Sequence, residues 1–295
     1  MMLSNVSIII PCYNEGSNLI RLLAKLESFI STTGSPVIIV DDGSKDDSSQ
    51  ILSTVENEKI TTIRHTLNRG YGAAIKTGIV NCKTDYCVTV DGDGQHDLSD
   101  IRKMMELLVN EDADLVVGNR QGKGSSSFRN FGKWIIRRMT SSFVKLEIND
   151  LNSGMKLYKT NVVKSLIKWV QSDMSFSETI TLLHLHFRYK VLEKDINVFD
   201  REAGESTINY KTAVKTVQEI LFLVMNFFPL RFFGYLGLVI ILLGIGWSVP
   251  FFAKGEGLTI GAGFLLSFGL LVIIQGVILQ TLTRFKFEGY EHFND

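Results

Sequence analysis

The chain has 295 residues, 45% of them hydrophobic, and its 31 basic side chains are matched by 31 acidic ones. Zero net charge leaves no overall positive field, so nucleic acid is not an expected partner. Three cysteines, Cys12, Cys82 and Cys87, agree with a reducing compartment. Residues 6–10 form a short apolar run that ends in Pro11-Cys12-Tyr13-Asn14-Glu15 and does not resemble a signal peptide. Leu19, Leu22, Leu23, Leu26 and Ile30 then recur at helical spacing, and 37–40 is a second β-branched run. Further strands are predicted at 60–64, 86–90 and 115–117, with helices at 45–55, 72–80 and 100–109. Short runs without polar alternation suit parallel strands covered on both faces. The alternation of strand and helix is a doubly wound α/β pattern.

Ligands of such sheets sit beyond the carboxyl ends of the strands, where 11–15, 41–44 and 91–95 fall. The last of these, Asp91-Gly92-Asp93-Gly94-Gln95, delivers two carboxylates one residue apart from the end of a hydrophobic strand. Carboxylates suit hard Mg²⁺ or Mn²⁺, which complete their shells with water and substrate phosphate, so the spacing implies a phosphorylated ligand. A plain Asp-Gly turn competes with this reading. So does an aspartyl-phosphate phosphatase, whose pattern has Thr or Val where Gln95 stands. An EF-hand is excluded: counting from Asp91, its sixth position is His96 instead of Gly and its twelfth Arg102 instead of Glu. Asp41-Asp42-Gly43-Ser44 also reads as a strand-to-helix turn with Ser44 as N-cap.

Between Leu115 and Leu146 lie Arg120, Lys123, Arg129, Lys133, Arg137, Arg138 and Lys145 without one Asp or Glu. In a neutral chain that block is a positioned field, aimed at phosphate, at anionic headgroups or at solvent. His184 and His186 are two apart and point to different faces of a helix, so they read as structural. Cys82 and Cys87 do not match a zinc knuckle and also read as structural.

Val217, Ile220, Leu221, Leu223, Val224, Phe227 and Phe228 form an apolar segment closed by Pro229, either an interfacial helix or a core helix. Residues 232–253 and 258–282 carry no charge, and each is long enough to cross a bilayer as a helix. Only 254–257 separates them, which makes a hairpin. Arg231, Arg284 and Lys286 flank it, and the positive-inside rule puts those flanks in the cytoplasm. The expected organisation is a cytoplasmic domain at 1–210, an interfacial helix at 211–230 and a membrane hairpin at 231–295. Gly234, Gly237 and Gly244 can pack within the hairpin or between the subunits of a homo-oligomer.

Pro11-Cys12-Tyr13-Asn14-Glu15, Val40-Asp41-Asp42-Gly43-Ser44, Asn68-Arg69-Gly70-Tyr71-Gly72-Ala73-Ala74 and Asp91-Gly92-Asp93-Gly94-Gln95-His96 together resemble family 2 glycosyltransferases of the GT-A fold. The series continues through Gly118-Asn119-Arg120, Arg129-Asn130-Phe131-Gly132, Asp150-Leu151-Asn152-Ser153-Gly154 and Arg201-Glu202-Ala203-Gly204-Glu205-Ser206. That longer set is similar to the polyprenyl-phosphate glycosyltransferases, the dolichol-phosphate mannose synthases and undecaprenyl-phosphate sugar transferases among them. The resemblance implies that Pro11, Tyr13, Glu15 and Asp42 hold the nucleotide, and that Asp91, Asp93 and Gln95 bind Mg²⁺ or Mn²⁺ at the diphosphate. It further implies that Arg120, Arg129 and Arg201 meet the acceptor phosphate. Glu178 matches a family Glu near the donor sugar, and His96 is a candidate for the donor or diphosphate. The chain departs from the pattern at Asp97, where many members have Pro, at Met155-Lys156, which replaces Phe-Arg, and at Thr207, which replaces a Lys that Lys211 can stand in for. The last two fall at expected phosphate-facing positions.

The activity this implies is inverting transfer of one hexose, glucose from UDP-glucose as the first expectation, to a polyprenyl phosphate that needs no general base. GDP-mannose and amino-sugar donors are the alternatives. A processive polysaccharide synthase shares the fold, but its Gln-x-x-Arg-Trp motif is reduced here to Gly132-Lys133-Trp134 and two spans are too few for a pore. The rival from another class is a non-catalytic membrane subunit that binds nucleotide sugar or presents lipid to a flippase.

Overall fold

A computed structural model describes residues 3–120, 148–170, 172, 176–199, 225 and 227–288, with backbone alone at 17 and 286–288. The described residues fall into an α/β unit and a C-terminal helical unit. In the first, strands β1 (Val6–Cys12), β2 (Val37–Asp41), β3 (Ile60–Arg64), β4 (Tyr86–Thr89), β5 (Leu115–Arg120), β6 (Lys156–Lys159) and β7 (Val191–Ile196) form one sheet in the order β3-β2-β1-β4-β6-β5-β7. The β3-β2-β1-β4 half is parallel. β6 runs antiparallel to both β4 and β5, while β5 and β7 are parallel. Every residue of β1 and β2 is buried, as their unbroken apolar runs require at the centre of a covered sheet.

Helix α1 (Gly16–Thr33) buries Leu19, Leu22, Leu26 and Ile30 against the sheet. Gly34 ends it in the left-handed region that glycine adopts without strain. α4 (Asp100–Asn110) adds Ile101, Met104, Met105 and Leu108 to the same core. Each such side chain contributes about 1.5–3 kcal/mol by leaving water. α3 (Tyr71–Asn81), α5 (Thr160–Leu166) and α6 (Phe176–His186) complete the α/β unit.

Three expectations change. The helix read at 45–55 is only α2 (Ser48–Ser53), because the residues before it are spent on a side-chain lattice. The Asn14 amide donates to Ser44 Oγ, Gly16 to Asp46 Oδ2 and Glu15 to Ser48 Oγ, at 2.9–3.0 Å. Ser44 therefore ties the end of β1 to the end of β2 and caps no helix. The sheet is mixed, since β6 is a four-residue Lys-Leu-Tyr-Lys strand with no apolar run to announce it. β7 carries Glu193, Lys194 and Asp195 in an unbroken row between Leu192 and Ile196 and gives no clearer signal.

In the helical unit, α7 (Pro229–Ala253) and α8 (Ile260–Glu288) are long and apolar enough to cross a membrane. Pro229 begins α7 at the first-turn position that tolerates a missing N–H. The two helices meet so closely that a Cβ on Gly237 would lie 2.6 Å from the Gly269 carbonyl oxygen, and one on Gly244 3.0 Å from Leu265. Gly237 and Gly244 thus pack within the pair, whereas a Cβ on Gly234 would meet nothing within 4 Å. Of the interfacial helix expected at 211–230, residues 211–224 and 226 lie outside the described residues.

Candidate active site

The ends of β1, β2 and β4 lie side by side, with Cys12 paired to Asp41 and the Val90 amide bonded to the Ile9 carbonyl at 3.0 Å. Just beyond β4, a Cβ on Gly92 would come within 2.6 Å of the Pro11 carbonyl oxygen, so only glycine lets the acidic loop leave so close to β1. Asp91 is the fixed point of this loop. Its Oδ1 accepts from the Tyr71 hydroxyl at 2.9 Å and its Oδ2 from His96 Nε2 at 3.1 Å. An ionised carboxylate only accepts, which makes Nε2 the protonated nitrogen of His96. From below, Gly154 leaves room for the carboxylate: a Cβ there would lie 2.1 Å from Asp91 Oδ2.

Burial works to raise the Asp91 carboxyl. The His96 hydrogen bond and charge, the Tyr71 hydroxyl and the Arg120 guanidinium outweigh it, and Asp91 lies below the usual carboxylate value. The same burial and the neighbouring carboxylate push the Tyr71 phenol well above its ordinary value, so it stays a donor. Arg120, at the end of β5, forms a fork with Asp150 through Nε at 2.7 Å and an Nη at 3.1 Å. A bidentate pair of this kind fixes the plane of the guanidinium.

Asp93 and Gln95 are half-buried and line a cavity of about 1340 Å³ with residues of α1 and α4. Asp93 Oδ1 accepts the Gln95 amide at 3.1 Å, which closes the loop on itself. Asp42 is buried and spent on protein donors: His65 Nδ1 at 2.7 Å, the Arg69 amide at 2.9 Å and the Gly70 amide at 2.8 Å. In this structure it builds the 65–70 loop and does not stand open to a base or ribose. Pro11 is buried, Tyr13 is 40% exposed and Glu15 is half-buried, accepting from Asn18 at 2.7 Å.

Two further expectations change. His96 is 5% exposed and serves Asp91, with its Nδ1 unpartnered among the described residues, so it is no open ligand for the donor. Lys156, expected to face phosphate, is fully buried on β6. Its Nζ donates to the Leu151 carbonyl at 2.7 Å, the Thr181 hydroxyl at 2.8 Å and the Ser177 carbonyl. Burial pushes this ammonium down to about 7 against the pull of Glu178, Asp150 and Asp91. Glu178 sits half-buried in the first turn of α6. Asp97 accepts the Ser99 amide at 2.9 Å and so shapes the turn that leads into α4. His184 is buried and bonds the Ile180 carbonyl at 2.7 Å, with its imidazole lowered by burial to about 4. Arg129, Arg201, Thr207, Lys211 and the cationic block beyond Arg120 lie outside the described residues.

Two carboxylates and an amide oxygen on one loop are hard donors, with Asp91 ionised and already oriented by its own partners. Among the described residues no cluster of three or more His, Cys, Asp or Glu forms a complete cage. The donor set fits a Mg²⁺ or Mn²⁺ that takes most of its shell from phosphate and water.

Residues 7–167 match the family model described as glycosyl transferase family 2. The chain belongs to that family. Among curated relatives, the undecaprenyl-phosphate 4-deoxy-4-formamido-L-arabinose transferase of Klebsiella pneumoniae (strain 342) is 27% identical over 96% of this chain and 84% of its own. A protein of the same name from Aeromonas hydrophila is 26% identical over 93% and 85%. Glucosyl-3-phosphoglycerate synthase from Mycobacterium tuberculosis, solved with Mn²⁺, UDP-glucose and phosphoglyceric acid, superposes with TM-score 0.58 at 12% identity, covering 74% of this chain and 79% of its own. That likeness concerns fold alone: the α/β unit of this glycosyltransferase is GT-A. The motifs at 11–15, 68–74, 91–96 and 150–154 meet around the Asp91 loop, and 41–44 joins them through the bonds of Asp42 to the Arg69 and Gly70 amides. Tyr71, Asp150 and Gly154 stand inside motifs legible in the sequence, but their roles emerge only here, and the signal that could have found them is a Gly or hydroxyl placed beside a strand-end acid. His65 lies outside every motif.

Proposed function

We propose that this glycosyltransferase moves a single sugar from a nucleotide donor to a polyprenyl phosphate, with inversion, for modification of a cell-envelope glycan. The observation that carries the proposal is the anchored Asp91 loop beside the Arg120–Asp150 fork, a cation-attracting and an anion-attracting group built around one end of the sheet. Asp91, Asp93 and Gln95 would hold the cation, whose contribution is Lewis-acid neutralisation of the leaving diphosphate. Tyr71 and His96 keep Asp91 from following the substrate, so the loop is organised before the donor arrives. Pro11, Tyr13 and Glu15 flank the nucleotide, and Asp42 acts through the 65–70 loop it holds.

Arg120, with Arg129 and Arg201, would bind the acceptor phosphate, for which a planar guanidinium is suited. A phosphate monoester has a second pKa of about 6 and attacks already ionised, so no side chain has to remove a proton. Direct attack on the anomeric carbon of an α-linked donor gives a β-linked product. Alignment and charge neutralisation carry the reaction. The hairpin of α7 and α8 would keep the enzyme on the cytoplasmic membrane that dissolves its acceptor, with the 1–210 domain and both termini in the cytoplasm, and a flippase would take the product onward.

UDP-glucose remains one donor to test. The relatives' printed sugar is 4-deoxy-4-formamido-L-arabinose, an amino-pentose, and this favours a nucleotide-linked amino sugar as the second reading. The experiment supplies purified full-length protein with Mn²⁺ or Mg²⁺, undecaprenyl phosphate and both donors beside GDP-mannose. Sugar label entering the organic phase from one donor supports the proposal, and no entry from any of them ends it.

A further inference from the structure

Lys156 is the largest charged side chain fully buried among the described residues, and nothing in the proposed reaction uses it. A buried ammonium is retained at a cost unless its donors are satisfied, and here all three are. What they bind is informative. The Leu151 carbonyl belongs to the turn that runs from Asp150, partner of Arg120, to Gly154, the floor beneath Asp91. Gly154 is further held through its own carbonyl, which accepts from the Thr89 hydroxyl at 2.7 Å. The Ser177 carbonyl and Thr181 hydroxyl belong to the first turns of α6, and α6 packs against α3, the helix that begins with Tyr71, the donor to Asp91 Oδ1.

One side chain therefore fastens both supports of Asp91, the floor from the 150–154 turn and the clamp from α3 through α6. We infer that Lys156 is a positioning residue for the Asp91 carboxylate, setting the affinity of the acidic loop for a divalent cation and nucleotide diphosphate without touching either. This rests on the metal–diphosphate reading of that loop. The groups around it are consistent with such a role: Glu178, Asp150 and Asp91 balance its charge, and Arg120 opposes it. Removing it leaves two main-chain carbonyls without this donor and frees the turn and the helix to drift apart.

The test measures binding, not turnover. Mn²⁺ affinity is read by the loss of the free-ion electron paramagnetic resonance signal in the presence of UDP, for the full chain and for Lys156→Met and Lys156→Gln, each with its melting temperature. The parent chain binding Mn²⁺·UDP establishes the underlying reading on its own, and its failure to bind would remove that reading first. The inference predicts that Lys156→Met, melting within a few degrees of the parent, binds at least tenfold more weakly. Lys156→Gln, which retains a donor, recovers part of the loss. A folded Lys156→Met with affinity within twofold of the parent overturns the inference. So does a Lys156→Met that fails to fold while Lys156→Gln binds like the parent, and so does failure of both to fold, because the residue is then a core strut and no more.

Discussion

Gly154→Ala is the sharpest single perturbation the site offers. The added methyl would lie 2.1 Å from Asp91 Oδ2, 2.3 Å from Oδ1 and 2.4 Å from Cγ, where 3.0 Å is already closer than real Cβ atoms come. Gly154 needs no left-handed backbone, so the change introduces a clash without dihedral strain. Relief requires Asp91 or the turn to move by about 1 Å, a displacement that costs on the order of 100-fold in rate when it misplaces a reacting group. Asp91 cannot retreat freely, since Tyr71 and His96 hold its two oxygens at 2.9 and 3.1 Å. The rate loss corresponds to about 2.7 kcal/mol of transition-state stabilisation. The assay is kcat/KM for sugar transfer to undecaprenyl phosphate, with the melting temperature measured in parallel. Overpacking of about 1–3 kcal/mol lowers the melting temperature by several degrees without unfolding the chain at room temperature. Transfer within threefold of the parent at an unchanged melting temperature would refute the reasoning, because Asp91 would then not be confined against Gly154.

Three other outcomes follow from the same geometry. Asp93→Ala removes a cation-facing carboxylate that accepts the Gln95 amide within its own loop. Transfer should fall at least about 100-fold with little change in melting temperature, and the variant should not complement loss of the enzyme in cells. Asp42→Ala strips acceptors from His65, the Arg69 amide and the Gly70 amide. A loss of about 2 kcal/mol should lower the melting temperature by about 4–8 °C and raise KM for the donor. For Lys156, burial holds the folded value near 7 while the unfolded chain titrates at its ordinary, higher value. Between those two the unfolded state binds more protons, so stability rises with pH, by up to about 1.4 kcal/mol per pH unit. Melting temperatures from pH 7 to 9 should climb in the parent relative to Lys156→Met, and parallel profiles would contradict the assignment.

The parallel half of the sheet is legible in the sequence because its central strands are unbroken Val and Ile runs with helical periodicity between them, and burial of β1 and β2 is complete. Asp91 and Asp93 are legible for the same reason, as polar residues at the end of such a run. The supports of Asp91 are not. Tyr71, Gly154 and Lys156 act on it from α3, the 150–154 turn and β6, and their value depends on contacts between residues far apart in the chain. Lys156 shows the limit most clearly: a lysine between Met155 and Leu157 in a motif expected to face phosphate reads as an anion ligand, and only tertiary burial reveals its carbonyl and hydroxyl partners. The antiparallel β6 escapes because four residues flanked by lysines carry no period. Asp42 reads as an acceptor from its motif, and the structure shows its donors to be the protein's own.

The central claim is tested most directly by the mass and anomeric configuration of the lipid recovered after incubating the full-length protein with Mn²⁺, undecaprenyl phosphate and labelled nucleotide sugars. The account predicts one sugar joined to the lipid phosphate with the anomeric configuration opposite to that of the donor, β from an α-linked donor. A product that keeps the donor's configuration, a growing polymer or label confined to the aqueous phase would contradict it.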